Sequence, residues 1–231
     1  MTRVLLVHQP VDGGVGRHVA DLCEGLTTRG LDVITCGPAR PARLADDCPH
    51  VVLPLERAVT PRADIAVVRD FTRTVRSCKP DLIHAHSSKA GAIVRLGRFA
   101  YPSVPVLYTP HGYSFAGFFT SRSERAAYRA AERALAPLAT RVLCVCEYEG
   151  ALARAIGPRQ RVRVVYNGIA DHESPAQPSA LGERRSGPVI STVTQLRPGK
   201  GLETLIDAFA HVRGSFPAAQ LVIWGDGPLL G

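Results

Sequence analysis

The residues of this chain best suited to chemistry stand at the ends of strand-like runs. Thr109-Pro110-His111-Gly112 follows one of them. An imidazole just beyond the C-terminus of a parallel strand sits where such sheets bind ligands, and Gly112 lets the backbone turn the ring into a crevice. A second run, Asp81-Leu82-Ile83-His84-Ala85-His86-Ser87-Ser88, closes on two histidines. The expectation here is that strand alternation puts them on opposite faces, one lining the crevice and the other packed behind. On that reading they make a poor metal pair, and no third ligand is evident. His86, Ser87 and Ser88 then line the crevice and start a helix with Ser as N-cap, or serve structure alone.

Two loops offer anion sites. Asp12-Gly13-Gly14-Val15-Gly16 lies between a strand and a helix, where backbone N–H groups and the positive helix end can hold an anion; a plain tight turn is the other reading. It misses the dinucleotide fingerprint, because Val19 stands where the third glycine belongs. Cys36-Gly37-Pro38 also replaces the ribose-binding carboxylate, so NAD chemistry is disfavoured. Gln195-Leu196-Arg197-Pro198-Gly199-Lys200-Gly201 brings Arg197 and Lys200 to another strand–helix junction, as a diphosphate site or an exposed basic turn. Asp226, between Gly225 and Gly227, marks a turn that brings backbone near a ligand rather than a catalytic carboxylate. Finally, an aromatic run from Tyr113 through Phe115, Phe118 and Phe119 precedes Arg122, Arg125, Arg129 and Arg133 at helical spacing. The span from Phe115 to Arg133 could dock on an anionic membrane surface, or be a solvated helix paired through Glu124 and Glu132.

The elements that must position these residues follow from apolar periodicity. Strands are expected at residues 4–8, 31–36, 51–53, 82–85, 104–109, 142–145 and 162–165, with helical patterns between them, which is the signature of a parallel sheet with crossover helices. Val15, Val19, Leu22 and Leu26 give the first helix one apolar face, and Gly30 sits where a C-terminal cap belongs. The fold class is therefore α/β, with a Rossmann-like parallel sheet. Residues 167–188 are rich in Ser, Pro, Gly and charge and read as a linker after a first domain of residues 1–166. Beyond it, residues 189–231 repeat the opening plan: strand 189–194, basic Gly loop, helix 202–213, strand 221–224. A single βαβ cannot cover both faces of a sheet, so this second Rossmann-like unit is incomplete, with the remainder expected elsewhere, in a partner chain for instance.

Composition narrows the partners. The net charge of +8 comes mainly from arginine, since Lys79, Lys89 and Lys200 are the only lysines, and favours anionic partners. No basic run is interleaved with aromatics as single-stranded nucleic-acid platforms are, so nucleic acid is not expected. The six cysteines show no zinc spacing and read as reduced packing residues. No apolar run approaches the roughly 18 residues of a membrane span, and no signal sequence is evident, so a cytoplasmic location, peripheral to the membrane at most, is expected.

In order and spacing the chain resembles the family 4 glycosyltransferases, retaining enzymes of GT-B architecture. The resemblance runs through Gly13-Gly14-Val15-Gly16, Pro80 to Ser88, Thr109-Pro110-His111-Gly112-Tyr113, Glu132-Arg133, Val142-Leu143-Cys144-Val145-Cys146-Glu147, Tyr166-Asn167-Gly168-Ile169, Lys200-Gly201 and Gly225-Asp226-Gly227-Pro228. It implies transfer of a sugar from a nucleotide-diphosphate donor to a lipid-linked or glycan acceptor, without a metal or other cofactor. It places His111 at the transferred sugar, His86, Ser87 and Tyr113 on the acceptor side, and Gly14, Gly16, Arg197, Lys200, Gly225 and Gly227 at the donor diphosphate. Two positions depart from the family pattern: Gln195 replaces an Arg, with Arg197 as a substitute, and Cys146 replaces a Ser. The family's paired glutamates for the donor fall past Gly231, so this chain alone is expected to turn over little or not at all. Rival readings are a non-catalytic acceptor- or membrane-docking subunit of a split enzyme, and another GT-B enzyme such as a sugar-nucleotide epimerase.

Overall fold

The computed structural model describes residues 1–56, 58–116, 121–168 and 187–230. The chain divides into two compact units, Met1–Ile169 and Ala170–Gly231. The first alternates β1 (Arg3–His8), α1 (Gly13–Thr28), β2 (Asp32–Gly37), β3 (His50–Val52), α2 (Pro61–Cys78), β4 (Leu82–His86), α3 (Ser88–Gly97), β5 (Val106–Thr109), α4 (Arg122–Leu135), β6 (Arg141–Cys144), α5 (Glu147–Ile156) and β7 (Val162–Val164). These strands form a parallel sheet in the order β3-β2-β1-β4-β5-β6-β7. Chain order reverses between β1 and β4, which in an open α/β sheet opens a crevice at the carboxyl ends of those two strands.

Strand alternation splits the core. Leu5 and Val7, Ile83 and Ala85, Val106 and Tyr108 face one side, where Phe71 of α2 and Ile93 of α3 pack on them. Val4, Leu6 and Val33 face the other, covered by Val19 and Cys23 of α1. Cys23 Sγ lies 2.7 Å from Cys48 Sγ, and the six cysteines are free thiols, as packing residues should be. Helix α2 has no counterpart in the sequence reading. It buries Val67, Phe71 and Val75, one residue per turn, so its apolar stripe is too narrow to stand out.

A buried ion pair joins α3 to α4. Arg95, 1% exposed, donates to Glu132 at 2.9 Å, stacks over the Tyr108 ring at 4.0 Å and donates through Nε to the Gly91 carbonyl. Tyr108 donates its hydroxyl proton to the other Glu132 oxygen at 2.9 Å. Glu132 thus turns inward instead of pairing along its own helix, which corrects the solvated-helix reading, while Arg122, Arg125, Arg129 and Arg133 remain exposed. The aromatic run is also not one surface. Tyr113 is 2% exposed in the core, with Phe115 stacked on it at 4.9 Å. Phe118 and Phe119 lie outside the described residues.

The second unit contributes β8 (Val189–Val193), α6 (Leu202–Ser215) and β9 (Gln220–Trp224), with β8 parallel to β9. Val193, Ile206 and Trp224 are exposed in it. Most of the expected linker, residues 169–186, and with it Ile169, lies outside the described residues. No helix among the described residues is long and apolar enough to cross a membrane.

Candidate functional site

The carboxyl ends of β1, β4 and β5 bring together the histidines that the sequence scatters. Register pairs His8 with His86 and His86 with Thr109. His84 and His86 are two residues apart on β4, and because the strand period is two they share a face, their ring centroids 4.0 Å apart. This corrects the expectation that alternation separates them. Both point to the side covered by α1, whose His18 lies 5.4 Å from the His86 ring and 4.8 Å from that of His111. His86 Nδ1 and His111 Nε2 share a hydrogen bond of 3.1 Å, and His84 Nε2 bonds Thr109 Oγ1 at 2.8 Å.

Burial keeps these imidazoles neutral. It lowers His111 to about 4, with His18 adding to the effect, and lowers His84 to about 3. His86 is pushed well below its ordinary value by burial and then by its histidine neighbours; His18 is lowered by burial against an opposing pull from Asp21. A buried imidazolium without an anionic partner would be costly, so the rings work as neutral donors and acceptors. With a pKa near 4, His111 is too weak a base for general-base catalysis near neutral pH and is better suited to hydrogen-bonding a substrate hydroxyl.

The loop carrying His111 is held under backbone strain. His111 has φ 52°, Gly112 φ 92° and Ser87 φ 79° with ψ 161°, the last in a region that is essentially glycine's. A non-glycine residue held there costs of order 1–3 kcal/mol and persists only where its surroundings fix it. Ser87 N–H donates to the Thr109 carbonyl at 2.9 Å, tying the ends of β4 and β5 together. Glu149, 3% exposed in the first turn of α5, accepts from the Gly112 N–H and from the Val145 N–H, the latter at 3.0 Å. It clamps the His111 loop to the end of β6.

The other expected site residues fall as follows. Gly14 is exposed with open space where a Cβ would stand, whereas a Cβ on Gly16 would meet the Val11 carbonyl oxygen at 1.9 Å, so Gly16 serves the tight β1–α1 turn. Ser87 is the N-cap residue of α3, yet its hydroxyl makes no cap bond and is buried without a partner, which corrects the capping expectation. Tyr113, expected on the acceptor side, has its ring in the core and cannot meet an acceptor from there; burial raises its hydroxyl pKa. In the second unit, Arg197 Nε donates to Gln195 Oε1 at 3.0 Å and Lys200 is exposed. Gly225 and Gly227 are required because a Cβ would strike the Thr194 and Leu196 carbonyls at 1.8 and 2.3 Å, where the two segments exchange backbone hydrogen bonds.

His18 and Glu149 are the members of this cluster that sequence reasoning missed. His18 stands one residue before Val19 on the apolar face of α1, and Glu149 two residues after Glu147; neither position signals its partner, which comes from another element.

Residues 12–173 match the profile of Glycosyltransferase Family 4, well over half the chain. The chain belongs to glycosyltransferase family 4. Curated relatives are distant. The chain is 26% identical over 184 residues to an Escherichia coli UDP-Gal:alpha-D-GlcNAc-diphosphoundecaprenol alpha-1,3-galactosyltransferase, covering 72% of this chain and 47% of that one. It is 22% identical to the alpha-monoglucosyldiacylglycerol synthase of Acholeplasma laidlawii, covering 95% of this chain and 61% of the relative. Among solved structures, Anabaena HepE in complex with UDP and glucose superposes with a TM-score of 0.73 at 20% identity, over 98% of this chain and 62% of that one. Sucrose-phosphate synthase from Thermosynechococcus elongatus gives 0.76 at 19% identity, over 96% and 62%. The UDP-GlcNAc 2-epimerase of Neisseria meningitidis shares the fold at a TM-score of 0.58, over 97% and 66%. Fold alone therefore does not separate transferase from epimerase, and the family assignment rests on sequence. The chain spans roughly half to three fifths of the length of the two curated relatives named here.

Proposed function

We propose that this family 4 domain, together with a donor-nucleotide unit that begins at Val189, transfers a sugar from a nucleotide-diphosphate donor to a lipid-linked or glycan acceptor with retention of anomeric configuration. The observation that carries the reading is the neutral His111, held on strained backbone by Glu149 at the reversal of strand order. Strain concentrated on His111 and Ser87 is an expense that packing alone does not require. In the reaction the anomeric carbon–oxygen bond to the diphosphate breaks and a bond to the acceptor hydroxyl oxygen forms, the hydroxyl proton leaving with the diphosphate. His111 orients the transferred sugar by hydrogen bonding. His86 supports His111 through their shared hydrogen bond, and the Ser87 hydroxyl is buried without a partner at the end of β4. Gly14, at the N-terminus of α1, leaves room for an anion or acceptor to approach the backbone, and Lys200 and Arg197 neutralise the diphosphate, so that no metal is needed for its departure.

The relatives support a nucleotide-sugar donor and a lipid-borne acceptor, because the Escherichia coli protein is named for UDP-galactose and a diphosphoundecaprenol. The exposed arginines of α4 would meet an anionic membrane surface carrying such an acceptor. The exposed Val193, Ile206 and Trp224 favour a further apolar layer over the second unit, in a longer protein or a partner chain. Calorimetric titration with UDP, GDP and their hexose conjugates tests the site. Micromolar binding that weakens at least tenfold in His111→Ala is expected; equal binding by both proteins would remove His111 from the donor site.

A further inference from the structure

The crevice holds a third imidazole that the proposed sugar transfer does not use. His18, on the first turns of α1, places a ring nitrogen in a group with nitrogens of His86 and His111, all within 4.8 Å of one another. Tetrahedral zinc with nitrogen ligands at about 2.0–2.1 Å sets its ligand atoms about 3.4 Å apart. The His86–His111 nitrogen pair, at 3.1 Å, is already close to that spacing. His18 is half-buried on α1, and the site requires its side chain to close the remaining distance. His86 is fully buried, and an ion here takes its Nδ1, the nitrogen that otherwise shares the hydrogen bond with His111 Nε2.

We propose that His18, His86 and His111 form a binding site for a late first-row divalent cation of the zinc type. Three neutral imidazoles suit zinc, cobalt or nickel, whereas magnesium, calcium and manganese ask for oxygen ligands that this group does not offer. His111 and His18 are half-buried, leaving the fourth position for water or an exogenous ligand. Because the ion takes up a nitrogen of His111, it competes with the sugar for that ring: the site is inhibitory, and it is separate from any metal bound to a diphosphate.

The test uses the chain after dialysis against chelator, without nucleotide, so that its outcome is independent of the proposed transfer. Cobalt(II) is titrated while visible absorption is followed, and zinc sulfate by calorimetry. One ion per chain is expected, with the intense visible bands of four-coordinate cobalt and affinity at least tenfold weaker in His18→Ala. The metal-free variant should keep its far-ultraviolet circular dichroism; His18→Gln is measured beside it in case the smaller side chain unsettles α1. His50→Ala, in the separate His8–His50 pair, should bind as the parent does. Equal affinity in the parent and both His18 variants overturns the proposal. So does a thiolate charge-transfer band, which would place the ion on cysteine, or an absence of stoichiometric binding.

Discussion

Replacing Glu149 by Gln tests whether one buried carboxylate holds the His111 loop. The side chain is 3% exposed and accepts two backbone N–H groups, one from Gly112 and one from Val145. Glutamine keeps one acceptor oxygen and presents an amide NH2 where the other stood, so one donor now faces another donor. A hydrogen bond to a charged group contributes about 1.5–3 kcal/mol, and stranding a buried donor costs a further 1–3 kcal/mol. Partial relaxation of the loop trims the sum, and we expect a loss of about 3 kcal/mol. For a unit of this size that lowers the melting temperature by roughly 6–12 °C. Thermal denaturation followed by circular dichroism measures it, with Glu147→Gln as the control, since Glu147 is exposed and its contact with Arg154 is 3.5 Å long. The control should stay within about 0.5 kcal/mol of the parent. The variant should also lose donor binding, because a released loop lets His111 leave its left-handed backbone conformation. If Glu149→Gln melts with the parent, the loop is held by other contacts and the clamp argument is wrong.

Four other perturbations follow from the same geometry. Burial lowers His8 and His111 to about 4 and His84 to about 3, so between pH 6.5 and those values the unfolded chain binds more protons than the folded one. Stability should therefore be full above pH 6.5 and fall with acidification, by up to about 1.4 kcal/mol per pH unit for each histidine; urea midpoints measured from pH 7.5 to 4.5 that stay level would contradict this. Glu132→Ala leaves Arg95 buried and unpaired and should cost about 3–5 kcal/mol in chemical denaturation, whereas Arg95→Met combined with Glu132→Leu should cost less than that single change. Gly16→Ala, which drives a Cβ against the Val11 carbonyl, should lower the melting temperature by several degrees, roughly the effect of 1–3 kcal/mol of overpacking. Gly14→Ala, with open space around its Cβ, should leave it unchanged while weakening binding of a nucleotide diphosphate.

The alternation of short apolar runs with helical patterns determined the parallel α/β plan, because each strand and most helices carry their own periodicity within a few residues. The plan of the second unit was legible for the same reason: strand, Gly loop, helix and strand are consecutive. His111 stood out because its strand, Pro and Gly neighbours are adjacent in sequence. Helix α2 was not legible, since its buried face is a single stripe of Val67, Phe71 and Val75 among polar residues. The site around His111 was decided in three dimensions. Parallel register alone sets His8 beside His86, the packing of α1 brings in His18, and Glu149 reaches the loop across more than thirty residues of chain. Tyr113 and Glu132 show the same limit from the other side. One lies in a surface-like aromatic run and the other on an arginine-rich helix, and both are drawn inward, the first by packing on Tyr108 and the second by the buried charge of Arg95. Local spacing tells which residues share a face of one element; only tertiary packing decides what that face meets, because those contacts join residues far apart in sequence.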